Sequence, residues 1–599
     1  MKFFKIFLAT LLAMVVGTVL SWVLCLVIFA GMAGSMGQVT KAVITPQTIV
    51  KIDLAENISE APTKNPMAGF DYTSMTMPKN THLLKVLQSI EAAKGDNRVK
   101  GLYLNFTGMG AITTGAMEEI RAALIDFKQC GKFIVAYNET YSQGGYYLAS
   151  VADKIYLHPE GGFSWAGFAN ASLFFKGALD KLGLKAEVFR PTSCKYKSAV
   201  EPYIRKNMSP ENRAQMQMMV DDMWRVLVES IAESRNLDAK NLMSMADKLE
   251  ITQPEDALKH NLVDGLIYAD EMDAKFAEYG VEKGADGKYN IISLGEYMTL
   301  APILPKFGAP AVGIVYAEGQ VFDGAGEDDN IYSVNISETL RKAREDKNIK
   351  AVVFRVNSPG GSALASDVIW REVELLRKEK PVIVSMGSYA ASGGYYISSS
   401  ADAIVADKLT LTGSIGVFGM MLEGEDMLKN RLGITTDVVK TGSSADFGTN
   451  VMGIGVRKFT DAERKVFIRS VDKVYDTFTS RVSVGRNLPM DKVLDLAQGR
   501  VWSGTRAVSL GLVDANGGLR EAIAVAVDKA GIADNFRVTE VLEELSPMAQ
   551  MMQALNMKVK AYFLDSDTME AVEYYNTLKR EVAREGIQAY CPYTFSLVY

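Results

Sequence analysis

The segment ASGGYYISSSADAIVA at Ala391–Ala406 recurs, with substitutions, as SQGGYYLASVADKIYL at Ser142–Leu157, 249 positions earlier. Four further pairs of segments match at offsets of 250 or 251 and follow in the same order. They are Asp96–Phe106 with Asp346–Val356, Leu182–Arg190 with Leu432–Lys440, Arg235–Leu237 with Arg486–Leu488, and Leu262–Asp264 with Leu512–Asp514. Chance does not keep five blocks in register, so the sequence predicts two copies of one domain.

The boundaries of the copies follow from the outermost matches and from a Gly- and Pro-rich stretch between them. We expect the first copy at 80–275 and the second at 311–530. The remaining segments are a cytoplasmic stub with an apolar anchor at 1–37, an exported N-terminal segment at 38–79, a linker at 276–310, and a helical C-terminal extension at 531–599.

Short apolar runs alternate with amphipathic helices in each copy. In the second copy, Ala311–Ala317, Lys350–Val356 and Pro381–Met386 read as strands, and helices are expected at Ser337–Asp346 and from Ala363 to Lys378. Strands that are apolar on both faces and are joined by helices indicate a parallel sheet buried between helical layers. The fold class is therefore α/β, built by tandem duplication.

Composition excludes several classes of function. The 599 residues contain 65 Lys and Arg against 71 Asp and Glu, a net charge of -6. Without excess positive charge, nucleic-acid binding is not expected. The three histidines and four cysteines form neither a CxxC nor an HxxxH pattern, so we expect no metal or other cofactor.

The N-terminus predicts a membrane anchor. Residues Ile6–Ala33 carry no charge, and as a helix they would extend about 42 Å, more than the roughly 30 Å hydrocarbon core of a bilayer. Lys2 and Lys5 precede this run, which favours a cytoplasmic N-terminus and export of everything that follows. The alternative is a signal peptide cleaved near Ala33–Ser35.

Two loops of the second copy carry candidate chemistry. Gly360 and Gly361 follow a predicted strand, where backbone N–H groups can face a developing negative charge, although an ordinary tight turn would look the same. Ser392 follows the next strand and precedes a helix, a position suited either to a nucleophile or to a helix N-cap.

The two copies differ reciprocally at these positions. Gln143 replaces Ser392 in the first copy, whereas Lys197 of the first copy corresponds to Phe447 of the second. When the two copies are aligned, the neighbouring Lys195 likewise corresponds to a residue without an amine. A lone lysine in a polar loop is usually a solvated amine, but one site shared between the copies would explain both losses.

A serine and a lysine together can catalyse acyl transfer without histidine. A lysine in apolar surroundings loses its charge more easily, so its neutral amine can accept the serine proton and later protonate a leaving amine. Ser414, which follows a further predicted strand, is a candidate to hold that amine, although a turn serine is the simpler interpretation.

Four motifs together resemble the signal peptide peptidase A family, in its long, protease IV form of serine–lysine peptidases. They are CKYKSAVEP at Cys194–Pro202, NSPGGS at Asn357–Ser362, SYAASGGYYIS at Ser388–Ser398 and LTGSIGV at Leu411–Val417. The resemblance implies a Clp-protease/crotonase-like fold in both copies. It also implies a homotetramer on the outer face of the cytoplasmic (inner) membrane.

The same resemblance assigns roles to the candidates. It implies Ser392 as nucleophile, Lys197 as general base, Ser414 as the hydrogen-bond partner of the lysine, and Gly360 with Gly361 as the oxyanion hole. The implied substrates are signal-peptide remnants and other hydrophobic peptides, cut endoproteolytically.

Two alternatives stay open. The glycine turn would also suit a crotonase-type enzyme acting on acyl-thioesters, although an exported location argues against a coenzyme A substrate. A non-catalytic membrane scaffold would not need both Ser392 and Lys197.

Overall fold

A computed structural model describes most of the two copies and part of the N-terminal segment. The described residues are 43–54, 57–63, 81–106, 110–301, 308–326, 328–451, 453–543 and 588–591. The predicted anchor at 1–37 lies outside them. Among the residues just given, no helix has both the length and the apolar character needed to cross a bilayer.

A parallel six-stranded sheet forms the core of the first copy. Its strands in spatial order are Gly265–Leu266, Lys154–Phe163, Phe133–Tyr141, Val99–Asn105, Thr48–Asp53 and Ile291–Ser293. The central strands are apolar and buried, as expected for a sheet covered on both faces.

The second copy repeats this strand order. The corresponding strands are Ala515–Asn516, Ala403–Ala406, Val382–Ala391, Ile349–Ser358, Ala311–Glu318 and Arg537–Glu540. Two more strands, Leu411–Gly413 and Val501–Ser503, extend this sheet beside the end of Val382–Ala391, and they pair with each other in antiparallel orientation. The result is a mixed α/β fold with the same topology in both copies.

Helices connect the strands and cover the sheets. The α-helices are Leu83–Gly95, Thr114–Lys128, Gln143–Ala149, Lys176–Leu182, Glu201–Ile204, Pro210–Arg235, Ala239–Asp247, Pro254–Lys259, Met272–Glu278, Leu294–Leu300, Ser333–Glu345, Ala363–Arg377, Gly393–Ser398, Asp461–Gly485, Met490–Leu496, Gly504–Leu510 and Leu519–Ala530. Single turns of 3₁₀-helix occur at Ser198–Val200 and Ala269–Glu271, and a π-turn at Met427–Arg431.

The sheets reach beyond the boundaries expected from sequence. Thr48–Asp53 and Ile291–Ser293 complete the first sheet, although they lie in the N-terminal segment and the linker, and Arg537–Glu540 completes the second. The C-terminal extension was expected to be helical, but its described parts form strands at Arg537–Glu540 and Gln588–Tyr590. Open sheet edges offer unpaired backbone groups to such short segments, which the periodicity of a few residues does not reveal.

A strand pairing and an ion pair are among the contacts that dock the copies onto each other. Lys185–Phe189 of the first copy pairs antiparallel with Gly419–Glu423 of the second. The buried Asp222 carboxylate accepts bonds of 2.5 and 2.9 Å from the guanidinium of Arg506. Two short four-stranded sheets complete the fold. The first contains Asn450–Val451, Ile454–Gly455, Gly419–Glu423 and Lys185–Phe189. The second contains Ile331–Tyr332, Val321–Phe322, Gly360–Ser362 and Gln588–Tyr590. A parallel pair, Ile58–Ser59 with Thr81–His82, lies apart from both. The docking brings the loop after Lys185–Phe189 against the ends of the second sheet's strands.

Candidate active site

Ser392 occupies the sharp turn between the strand Val382–Ala391 and the helix Gly393–Ser398. Its backbone has φ 57° and ψ −112°, a conformation rarely adopted by a residue with a side chain and found mainly at functional sites. The turn is held by the Ser392 N–H, which donates to the carbonyl oxygen of Gly413 at 2.8 Å. The hydroxyl makes no helix-capping hydrogen bond, so the structure does not support the interpretation of Ser392 as an N-cap.

Lys197 lies opposite this hydroxyl, in the loop that precedes the turn Ser198–Val200. Its Nζ atom is 2.6 Å from Oγ of Ser392, and the two side chains are 1% and 0% exposed. The loop is fixed by the N–H of Lys197, which donates to the carbonyl of Cys194, and by Arg190, which donates to the carbonyl of Lys197. The structure therefore brings together the lysine of one copy and the serine of the other.

Burial controls the charge of Lys197. Loss of hydration lowers the pKa of its amine to about 8, and electrostatic interactions with Cys591 and Cys194 oppose this shift. Across the ranges that the structure describes, no carboxylate is among the groups that shift the pKa of this amine. A substantial neutral fraction is thus present near physiological pH.

Ser414 holds the amine from its other side. The Nζ atom of Lys197 donates to Oγ of Ser414 at 3.1 Å and to its carbonyl oxygen at 3.0 Å. Ser414 itself has φ 49°, and its N–H donates to the carbonyl of Arg500 at 2.7 Å. The hydroxyl also reaches the carbonyl of Gly499 at 3.4 Å, so it links the lysine to the backbone.

The glycine pair lies on the far side of Ser392. Gly360 has φ 98°, and a Cβ atom at this position would lie 2.6 Å from the nitrogen of Gly393. The N–H of Gly360 donates to the hydroxyl of Ser358 at 3.1 Å. Gly361 is the next residue of the same short strand. This close approach of the turn to the start of the Gly393–Ser398 helix requires glycine.

In the first copy, Gln143 stands at the position that corresponds to Ser392. The side chain of Gln143 accepts from the N–H groups of Ala166 and Gly167 at 2.9 and 2.8 Å, and it donates to the carbonyl of Gly167 at 3.0 Å. Phe447, which corresponds to Lys197, packs on Phe459 and Phe467 instead. Each copy has replaced its unused half of the site by structural contacts.

Comparison with known proteins places this chain in a family. The model of peptidase family S49 matches residues 126–282 and 374–533, one region in each copy. The chain belongs to peptidase family S49. It is a serine-type peptidase, which supports the peptidase interpretation over the acyl-thioester enzyme and the scaffold.

Curated relatives extend the similarity of this S49 peptidase over most of its length. Protease 4 of Haemophilus influenzae is 39% identical, covering 78% of this chain and 76% of its own. Protease 4 of Salmonella typhi is 33% identical, covering 86% and 84%. The chloroplastic serine protease SPPA of Arabidopsis thaliana is 33% identical, covering 78% and 68%.

A solved structure, a ClpP1 mutant from Listeria monocytogenes, aligns with 35% of this chain and 94% of its own at 13% identity. Its TM-score of 0.24 is too low to inform the description of the fold.

Two residues of the S49 site were not found from sequence. Gly499 has φ 75°, and a Cβ atom there would lie 2.5 Å from Cβ of Lys197, so only glycine lets the lysine loop approach. Gly393 provides the first N–H of a helix, which has no partner within that helix. The sequence Gly-Gly-Tyr-Tyr occurs in both copies, which indicates a structural role for Gly393. No feature of the sequence around Gly499 indicates its role.

Proposed function

We propose that this S49 peptidase is a membrane-anchored endopeptidase that cuts hydrophobic peptides, including signal-peptide remnants, with a Ser392/Lys197 dyad. The contact of 2.6 Å between Nζ and Oγ, in surroundings that exclude water, carries the proposal. The names of the curated relatives, proteases and an SPPA, support a peptide substrate.

The chemistry uses the neutral form of the lysine. Lys197 accepts the proton of the Ser392 hydroxyl as its oxygen attacks the carbonyl carbon of a peptide bond. The same ammonium then gives that proton to the leaving amine, and an acyl-enzyme remains. Water, deprotonated by Lys197, attacks the ester and releases the second product with Ser392 restored.

Negative charge on the carbonyl oxygen needs hydrogen-bond donors during both steps. We assign this task to the glycine turn of Gly360 and Gly361, together with the N–H of Gly393 at the start of the helix with which the turn is in close contact. Gly360 allows that contact, and its own N–H donates a hydrogen bond to the hydroxyl of Ser358. Ser414 positions the amine of Lys197 toward Ser392.

The cellular setting is part of the same proposal. The apolar run Ile6–Ala33 would anchor the chain in the cytoplasmic (inner) membrane, with residues after 37 on the exterior or periplasmic side. We further propose a Clp-protease/crotonase-like fold for each copy and assembly as a homotetramer. Cell fractionation with protease accessibility tests the topology, and light scattering in detergent tests the assembly.

The decisive experiment compares Ser392→Ala and Lys197→Ala in the full-length chain. Each substitution should lower kcat/KM on an apolar fluorogenic peptide by about a thousandfold or more, because each removes a group that takes part in bond making. Lys195→Ala is the matched control, since this exposed neighbour has a side chain outside the site, and it should retain activity. Full activity of Lys197→Ala would rule out the dyad.

A further inference from the structure

A buried glutamine of the first copy, Gln215, lies between the two halves of the active site. It belongs to the helix Pro210–Arg235, and it is 0% exposed. The same helix contacts the second copy through Asp222, two turns later on the same face, which accepts a bond of 2.7 Å from the hydroxyl of Ser503. Gln215 therefore lies on the helix face that docks against the second copy.

One end of the Gln215 amide holds the loop that carries Lys197. Its Nε2 atom donates to the carbonyl oxygen of Tyr196 at 3.0 Å and to the hydroxyl of Ser198 at 2.7 Å. These two residues stand directly before and after Lys197 in the chain. The amide thus fixes the backbone on both sides of the lysine.

The other end of the amide holds the strand Val501–Ser503 of the second copy. The N–H of Val501 donates to Oε1 of Gln215 at 3.3 Å. Val501 pairs with Gly413, whose carbonyl oxygen accepts a bond from the N–H of Ser392. Because an N–H only donates and a carbonyl oxygen only accepts, the two partners leave the amide a single orientation. The side chain links the lysine loop to the strand next to the serine turn.

The second copy does not keep this glutamine. Ser209 and Thr460 cap the two corresponding helices, which are in register at an offset of 251. At that offset Val466 corresponds to Gln215, and it is 41% exposed. The buried amide is present only in the copy that supplies the lysine, as Lys197 itself is.

We propose that Gln215 is a positioning residue that sets the separation between Nζ of Lys197 and Oγ of Ser392. The proposal rests on the proposed function, because it concerns the lysine that acts on the serine. The amide acts through the backbone that carries the two side chains. A loop released from this amide would let the lysine move away from the serine and let water reach its amine.

The variant Gln215→Met tests this role. Methionine has a similar length and favours helix, so the volume is kept while the hydrogen bonds of the amide are lost. We expect kcat on an apolar peptide to fall about thirtyfold with little change in KM, since a displacement of about 1 Å at reacting atoms can cost about a hundredfold. Hydration of the amine should also raise the pKa of Lys197 from about 8 toward 10.5, the value of an exposed lysine. The midpoint of Ser392 modification against pH measures this rise.

Gln143→Met is the matched control. Gln143 is also buried, and its amide bonds to the backbone of Ala166 and Gly167 within the first copy. Loss of these bonds should lower the thermal midpoint of unfolding and leave kcat and the pH midpoint unchanged. Unchanged kcat and pH midpoint in Gln215→Met, or equal changes in Gln143→Met, would overturn the proposal.

Ser198→Ala gives the same test if Gln215→Met does not fold. It removes one partner of the amide and leaves the helix Pro210–Arg235 as it is. Loss of this one bond should lower kcat about three- to tenfold and raise the pH midpoint. Wild-type values of both quantities in Ser198→Ala would count against the role of Gln215.

A labelling experiment keeps this role separate from the proposed activity. In the Ser392→Ala background, the rate at which acetic anhydride modifies Lys197 is measured against pH by mass spectrometry of the digested protein. The midpoint should be higher when Gln215→Met is also present, and equal midpoints would overturn the proposal. If Lys197→Ala keeps full peptidase activity, the dyad fails, while the labelling still decides whether Gln215 controls the surroundings of the amine.

Discussion

The amine nitrogen of Lys197 lies 2.6 Å from the hydroxyl oxygen of Ser392, although 195 positions separate the two residues. Each copy contributes one of them, and the position that corresponds to each in the other copy has become Gln143 or Phe447. The site therefore exists only where the copies are docked. Contacts such as the Asp222–Arg506 ion pair act on catalysis by holding this docked arrangement.

The lowered pKa of Lys197 predicts the pH dependence of acylation. Only the neutral amine can accept the serine proton, and its pKa of about 8 means that the neutral fraction grows tenfold per pH unit below 8 and saturates above. We expect the rate of Ser392 modification by a fluorophosphonate reagent to follow this curve between pH 6 and 10. A midpoint near 10.5, the value of an exposed lysine, would contradict burial as the cause.

Removal of the Ser414 hydroxyl should weaken the positioning of the amine. Loss of its bond to Nζ of Lys197 is worth about 1–2 kcal/mol, or roughly five- to thirtyfold in kcat, with little change in KM. The midpoint of the acylation curve should also shift in Ser414→Ala, which a purely structural loss would not cause. Thr479→Ala, which removes a buried hydroxyl bonded within a helix, is the control and should leave both quantities unchanged.

The members of the site that the sequence revealed share one property. Ser392 and Lys197 stand out because one copy keeps each residue and the other loses it, and this asymmetry is visible without any structure. The parallel strands were equally predictable, since their apolar runs are long and are separated by helices.

What the sequence did not reveal depends on contacts between distant segments. Gly499 is required at the site because Lys197 of the other copy approaches its backbone. A glycine has no side chain whose chemistry would indicate that contact. The strand Gln588–Tyr590 is too short for periodicity to identify, and its conformation is stabilised by the edges it joins.

Gly499→Ala should disable the site through a steric clash. The added methyl group would lie 2.5 Å from Cβ of Lys197, so the lysine loop must move, and a displacement of about 1 Å at the reacting atoms can cost about a hundredfold in rate. Activity on an apolar peptide and the thermal midpoint report the two effects.

Gly448→Ala is the matched control for that substitution. Gly448 has the same φ of 75°, but a Cβ atom there would meet nothing within 4 Å. The variant Gly448→Ala therefore has only the backbone strain, which costs about 1 kcal/mol of stability, and it should keep its activity. Equal losses in Gly448→Ala and Gly499→Ala would mean that strain, and not contact with Lys197, explains the effect.

Glu118 predicts a pH dependence of stability at the contact between the copies. Burial raises the pKa of this carboxyl to about 7, helped by the neighbouring Glu119 and opposed by the N–H of Leu409, which donates to it at 2.8 Å. The folded protein therefore holds a proton that the unfolded chain releases near pH 4.5, so the free energy of unfolding should fall as pH rises between these values.

Glu118→Gln removes this titration while its side-chain oxygen can still accept the bond from Leu409. Equilibrium chemical denaturation at pH 5 and pH 8 should show a smaller loss of stability for Glu118→Gln than for the wild type, with a difference of about 2 kcal/mol. Glu91→Gln, which removes an exposed carboxylate paired with Arg520, should parallel the wild type. If Glu118→Gln also parallels the wild type, Glu118 does not hold the proton. Glu119 and Asp407, whose pKa values burial also raises, would then be the carboxyls that hold it.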